Sequence, residues 1–320
     1  MVSSCLANLG ISCHFRTFAR VAVSSSIYSP IGYVQVPDTG ESSAKMPRIW
    51  WCPTGPLAFL PIHAAGIYVR GVGMPNQCLS EFAVSSYIPT VDALLKTTES
   101  NSVKKGGDVP TGMLVVSQPN TPGMTPIPHA AAEAKRISKR FEDRQISSIT
   151  LSDASGTVEG VLKAMKSFSS IHLACHARQD TTSPLKSSIY LHDGPLELSE
   201  VMKKKLPDSD FAFLSACQTS TGDKNLPEEV VHLAAGMLAA GYQSVVGTMW
   251  SIVDEHGADI AESFYESLLD NTMTEAEGPK IDCLGVAWAL QRATQRFREK
   301  ISHSPEDSLL VWVPYIHIGV

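Results

Sequence analysis

The 320-residue chain is 43% hydrophobic and 18% charged, enough apolar material for one large α/β domain or two smaller ones and too much for a globally disordered polypeptide. Its formal net charge of −6 leaves no basic footprint, so nucleic acid is not an expected partner, and no apolar stretch of about 18 residues marks a membrane span. The seven cysteines are odd in number and form no C-x-x-C pair, which points to free thiols in a reducing compartment rather than to a disulfide framework or a zinc site.

Residues 1–37 contain no Asp or Glu, are rich in Ser, and carry Arg16 and Arg20. That composition has some likeness to a mitochondrial transit peptide, but the expectation taken forward is a loosely ordered segment over residues 1–45 of a cytoplasmic protein. From Pro47 to Tyr68 the pattern predicts a β-hairpin: Ile49-Trp50-Trp51 enters, Pro53-Thr54-Gly55-Pro56 turns, and Leu57–Leu60 returns. A strand over Phe82–Ile88 and a short helix over Pro89–Leu95 follow. The polar, glycine-bearing stretch Thr97–Pro110 reads as a linker, so residues 46–110 form an N-terminal part and 111–320 the core.

After Gly112 the pattern becomes a regular alternation of strand and helix, the signature of a parallel sheet covered on both faces. Met113–Val116 is a strand, and Ala130, Ala134, Ile137 and Phe141 share one face of the next helix. A strand near Ile146–Leu151 precedes a helix carrying Val158, Leu162 and Met165. His192-Asp193-Gly194 predicts a hairpin between Ser187–Leu191 and Leu196–Leu198. A helix from Asn225 to Gly241 is apolar nearly all round and should be deeply buried. Ser244–Met249 is a further strand, and Ile260, Ala261, Phe264 and Leu268 mark a helix. A last helix covers Asp282–Phe297, and Leu309–Ile318 reads as the final strand. The predicted core is a doubly wound, mostly parallel sheet of about six strands with right-handed crossovers.

Two of these strands end on reactive residues. Ser170-Ile171-His172-Leu173-Ala174-Cys175-His176 runs into a histidine and a polar loop, and Phe211-Ala212-Phe213-Leu214-Ser215-Ala216-Cys217 runs into a cysteine and a polar loop. Chemistry in open parallel sheets sits beyond the carboxyl ends of the strands. If these two are neighbours, His176 and Cys217 meet at one edge, as a nucleophile and its base require. Cys175, inside the apolar run, reads as packing. His172, four residues before His176, reads as a hydrogen-bonded core histidine, because no further ligands for a metal can be found. Asp180 and Glu229 are acidic candidates for a specificity pocket, and His232 lies on the same helix as Glu229, after the cysteine loop. Asp254 is a candidate N-cap in a loop at the same sheet edge.

The stretches HLACHARQD, FLSACQTSTGD, LPEEVVHLAAGMLAAGYQSVVGTMWSIVDE and RIWWCPTGPLAFLPIHAAGIY together resemble a CHAT domain, the caspase- and separase-related peptidase module, in its fungal form. The resemblance runs from about Pro47 to Gly319. It implies a caspase-like fold and a cysteine endopeptidase acting on protein or peptide substrates. The histidine and cysteine of the family map onto His176 and Cys217, with the backbone N–H groups of Ala177 and Cys217 as the oxyanion donors by analogy. It also implies latency until an activating partner or sensor domain engages, and no cofactor or metal. Ala177 stands where the family usually has glycine; were that glycine at positive φ, alanine would cost on the order of 1 kcal/mol.

Two other classes fit parts of the sequence. A peptidase-fold module that has lost catalysis would serve as an interaction or scaffold domain in a signalling protein, and the Ala177 departure favours it. A flavodoxin-like nucleotide binder fits the sheet, but neither G-x-x-x-x-G-K-S/T nor G-x-G-x-x-G follows a strand.

Overall fold

The computed structural model describes residues 46–67, 77–90, 112–178, 180, 183–215, 229–250, 252, 254–270, 281, 283–300 and 305–320. The N-terminal part supplies β1 (Arg48–Trp51), the short pair β2 (Gly66–Ile67) and β3 (Gln77–Cys78), and β4 (Val84–Tyr87). Then come β5 (Met113–Ser117), α1 (His129–Asp143), β6 (Ser148–Ser152), α2 (Val158–Ala164) and β7 (Ser170–Ala174). A small sheet follows, built from β8 (Ala177–Arg178), β9 (Ser188–Leu191) and β10 (Gly194–Glu197). The rest is α3 (Leu198–Lys203), β11 (Phe211–Leu214), α4 (Glu229–Ala240), β12 (Ser244–Thr248), α5 (Asp254–Asp270), α6 (Val286–Lys300), α7 (Pro305–Trp312) and β13 (Tyr315–Gly319).

Eight strands make the main sheet in the order β1-β4-β13-β12-β11-β7-β5-β6. The five strands from β12 to β6 are mutually parallel. At β13 the direction reverses: it pairs antiparallel with β12 and parallel with β4, which is parallel to β1. Strands β5, β7, β11 and β12 are buried along their whole length, as continuous apolar runs inside a covered parallel sheet must be. Period-two alternation sends Ile171, Leu173, Ala212 and Leu214 to one face, where α2, α3 and α4 pack. Met113, Val115, Phe211 and Phe213 go to the other, under α1, α5 and α6. On that second face Phe213 lies 5.0 Å from the Phe264 ring, and Phe264 packs edge-on to Tyr265 at 5.0 Å. Burying each such ring is worth about 1.5–3 kcal/mol.

Most of the predicted elements form. The stripe of α1 is buried at Ala130, Ala134, Ile137 and Phe141, and α4 ends at Ala240 because Gly241 has φ +127° and an added Cβ would run into the Leu206 carbonyl. The β9–β10 hairpin turns at His192-Asp193 with Gly194 at φ +142°.

Three expectations are corrected. The hairpin over Pro47–Tyr68 does not exist: β1 pairs with β4, not with Leu57–Leu60, and Gly55–Phe59 is a 3₁₀ turn. Pro53, Pro56 and Pro61 leave too few N–H donors for a returning strand, and the antiparallel pair of this region is β2–β3 instead. The stretch Leu309–Ile318 is divided, its first residues closing α7 and only Tyr315–Gly319 forming a strand. The main sheet has eight strands rather than about six because β1 and β4 join it beyond β13. The helix expected over Pro89–Leu95 and the linker over Thr97–Pro110 lie largely or wholly outside the described residues. Among the described residues no helix is long and apolar enough to cross a membrane.

Candidate active site at the ends of β7 and β11

The chain passes from β5 outward to β6 and returns on the other side of β5 to form β7. The connections after β5 and β7 therefore leave on opposite faces, the switch in strand order beyond whose carboxyl ends open α/β sheets place their ligand sites. The loop after β5 is well tied down. Gln118 N–H donates to the Ala174 carbonyl at 3.0 Å, Ile127 N–H to Pro119 at 2.9 Å, and Ile127 and Ala130 pack against Ala174. This loop carries Thr125, whose carbonyl oxygen lies 2.7 Å from His176 Nε2. A carbonyl can only accept, so Nε2 carries the proton, and in the neutral ring Nδ1 is the acceptor.

β7 and β11 are adjacent and parallel, with Ala212 paired to Ile171, Phe213 to His172 and Leu214 to Leu173. His176 stands two residues beyond β7 and is 1% exposed. Ser215 follows β11 and is buried as well. Cys217 lies outside the described residues, as do the side chains of Glu229, His232 and Asp254, although α4 begins at Glu229 and α5 at Asp254.

Ala177 opens β8 and its φ is negative, so alanine is unstrained there and the anticipated cost does not arise. Tyr190 N–H donates to the His176 carbonyl at 2.8 Å, while Ala177 faces Ile189. In an antiparallel ladder the hydrogen-bonded and non-bonded pairs alternate, so the Ala177 N–H points away from β9. Asp180 shapes the loop that follows: its Oδ1 accepts from Ser183 N–H at 2.8 Å, and its own N–H donates to Ser187 Oγ at 3.1 Å. Cys175 is fully buried, and burial, reinforced by the charge of Glu133, pushes its thiol well up. It is an inert packing residue.

Between α1 and the strands β7 and β11 lies a polar cluster of residues far apart in the sequence. Glu133 projects from α1, almost wholly buried, and its Oε2 accepts from Ser215 Oγ at 3.1 Å. Its Oε1 stands 3.2 Å from His172 Nε2 without a hydrogen bond between them. His172 Nδ1 lies 3.0 Å from Tyr265 Oη, and its ring stacks on Phe213 at 5.0 Å. His172 is thus the core histidine expected. A signal for Glu133 was available: it falls three residues after Ala130 and four before Ile137, on the buried stripe of α1. Among the described residues no three His, Cys, Asp or Glu side chains gather as a metal site would need.

The CHAT domain family model matches residues 22–320. No curated protein matches the sequence. Among solved structures the chain is similar to the Arg-specific cysteine proteinase gingipain R, at 13% identity and a TM-score of 0.47, over 74% of this chain and 54% of that one. The complex of Porphyromonas gingivalis gingipain pro- and mature domains gives 13% identity and a TM-score of 0.47, over 74% and 55%. Saccharomyces cerevisiae separase, in its complex with securin, gives 13% and 0.49 over 76% of this chain and 14% of that one. The chain thus spans about half the length of the gingipain chains and a much smaller share of separase.

Proposed function

The chain belongs to the CHAT domain family, and on that premise we propose that it is a cysteine endopeptidase of the caspase- and separase-like type, cleaving protein substrates through Cys217 and His176. The observation that carries this reading is the pairing of β7 with β11. These parallel neighbours lead into His176 after one strand and, three positions after Leu214 in the sequence, toward Cys217 after the other.

In this reading the Cys217 thiol gives its proton to His176 Nδ1, and the sulfur attacks the scissile carbonyl carbon. The tetrahedral oxyanion takes the N–H groups of Ala177 and Cys217. Collapse breaks the C–N bond as the imidazolium returns its proton to the leaving amine, leaving a thioester that water hydrolyses with the same base. The Thr125 carbonyl holds Nε2–H throughout and so keeps the ring in the tautomer with its acceptor at Nδ1. The unstrained Ala177 weakens the case for a silent scaffold. Asp180, Glu229, His232 and Asp254 are the groove candidates, and Asp180 also shapes the loop after β8. The near-complete burial of His176 supports a latent state opened by an activating partner or sensor domain.

The test is the rate of covalent labelling by an electrophilic peptide against pH. Cys217→Ala should abolish labelling. His176→Ala should slow it roughly 10²–10⁴-fold near neutral pH, with labelling recovering as the pH approaches the ordinary thiol value of about 8.5. Superimposable curves for wild type and His176→Ala would refute the pair.

A further inference from the structure

A buried carboxylate is expensive to maintain, because partners only partly offset its removal from water. Position 133 lies on the apolar stripe of α1, where an aliphatic residue would pack against the sheet without that cost. The carboxylate has a directed role in the geometry: Oε2 takes the hydroxyl of Ser215, the last described residue before Cys217 and two positions ahead of it. The other oxygen stands 3.2 Å from the His172 ring without a hydrogen bond to it, and that ring is bonded to Tyr265 and stacked on Phe213. Burial, with the Glu133 charge second, keeps the Tyr265 phenol well above its ordinary value, so the phenol remains a protonated brace.

We propose that Glu133 is a positioning residue for the candidate nucleophile, tying the exit of β11 to α1 through Ser215. The same β5–α1 connection orients His176 through Thr125. The stretch from Thr125 to Glu133 therefore bonds both to His176 and to Ser215, the residue that follows β11. This inference rests on the cysteine peptidase reading, but it is tested on its own variants.

The experiment follows alkylation of Cys217 by iodoacetamide from pH 5.5 to 9.5, residue by residue by mass spectrometry, with the exposed Cys52 as the internal reference. Wild type, Ser215→Ala, Ser215→Thr, Glu133→Gln, the Ser215→Ala/Glu133→Gln pair and His176→Ala are compared, with melting temperatures recorded for each. Ser215→Ala should slow Cys217 alkylation about 10-fold or more at pH 6.5 and move its profile up toward about pH 8.5. Ser215→Thr, which keeps the hydroxyl, should restore the wild-type profile. Glu133→Gln should act in the same direction, and the double variant should be no worse than the stronger single one, as coupled residues behave. A Ser215→Ala profile that superimposes on wild type overturns the positioning role, and so does a double variant whose losses simply add. Ser215→Ala decides the matter even if Glu133→Gln fails to fold. His176→Ala is the separate arm: if it matches wild type the dyad falls, while the anchor is still judged by Ser215.

Discussion

Histidines are buried on both sides of the point where the sheet reverses, and they are bonded in different ways. In the β13–β4–β1 half, His63 has Nδ1 2.8 Å from Tyr87 Oη and Nε2 2.9 Å from the Val313 carbonyl. His317 has Nδ1 2.9 Å from Ser86 Oγ and Nε2 3.1 Å from Ser244 Oγ. Burial lowers the His63 ring to about 4, and it drives His317 well below its usual value, with the charge of Arg48 adding to the effect. These rings are cross-braces whose protons are committed to the fold. In the parallel half, His176 lies where the chain leaves the sheet, and a loop carbonyl dictates its tautomer. His317, inside a strand, and His63, in a 3₁₀ turn, are bonded at both ring nitrogens across the fold, whereas His176 lies beyond a strand's carboxyl end, where a side chain can be oriented for a task.

The largest effect expected from this contrast is on stability. His317→Ala leaves Ser86 and Ser244 without their ring partner and opens a cavity, so it should cost roughly 2–5 kcal/mol. His176→Ala, which empties a buried ring site beyond the strand but does not break a brace across the sheet, should cost less, about 1–2 kcal/mol. Urea denaturation of the two variants checks this. Equal losses would make His176 another brace and erase the distinction.

Next in size is the pH response. Unfolded histidine titrates near about 6.5, whereas folded His63 resists protonation down to about 4. Between these values the unfolded chain binds more protons. Stability is therefore complete above that window and falls as the pH drops through it. His63 alone should remove about 1.5 kcal/mol between pH 6.5 and 5, and His317 acts in the same direction. Denaturation midpoints across this range should show the slope, and His63→Gln should flatten it. A wild-type slope that His63→Gln leaves unchanged would mean the ring is not held neutral.

The smallest effect concerns how α1, which carries Glu133, is attached to α5. Arg136 and Arg140 reach Glu262 at 3.3 and 3.0 Å from partly exposed positions, where screening and side-chain entropy leave little net gain. Glu262→Gln should lower stability by at most about 1 kcal/mol, and the difference should vanish at about 1 M salt. A larger, salt-resistant loss would show that α1 is held by ions rather than by Ile137 and Phe141 in the core.

Much of this was legible because it is local. Apolar runs ending at turn residues mark β5, β7, β11 and β12, the stripe of α1 follows from its spacing, and Asp193-Gly194 announces the hairpin before the chain folds. The order of reactive residues at strand ends, and the motifs around His176 and Cys217, point to the family without coordinates. Pairing partners were less legible. Trp50 and Trp51 look the same in a hairpin as in an edge strand beside β4. A short apolar stretch such as Leu309–Ile318 has no period that separates helix from strand. Glu133 was visible as a charge on an apolar stripe, but not as the acceptor for Ser215, 82 residues away. Periodicity determines which face a side chain takes, because alternation and the helical turn are properties of neighbouring residues. Which carboxylate meets which hydroxyl, and which carbonyl fixes the proton of His176, is decided only when distant segments pack, because those contacts exist at no shorter range.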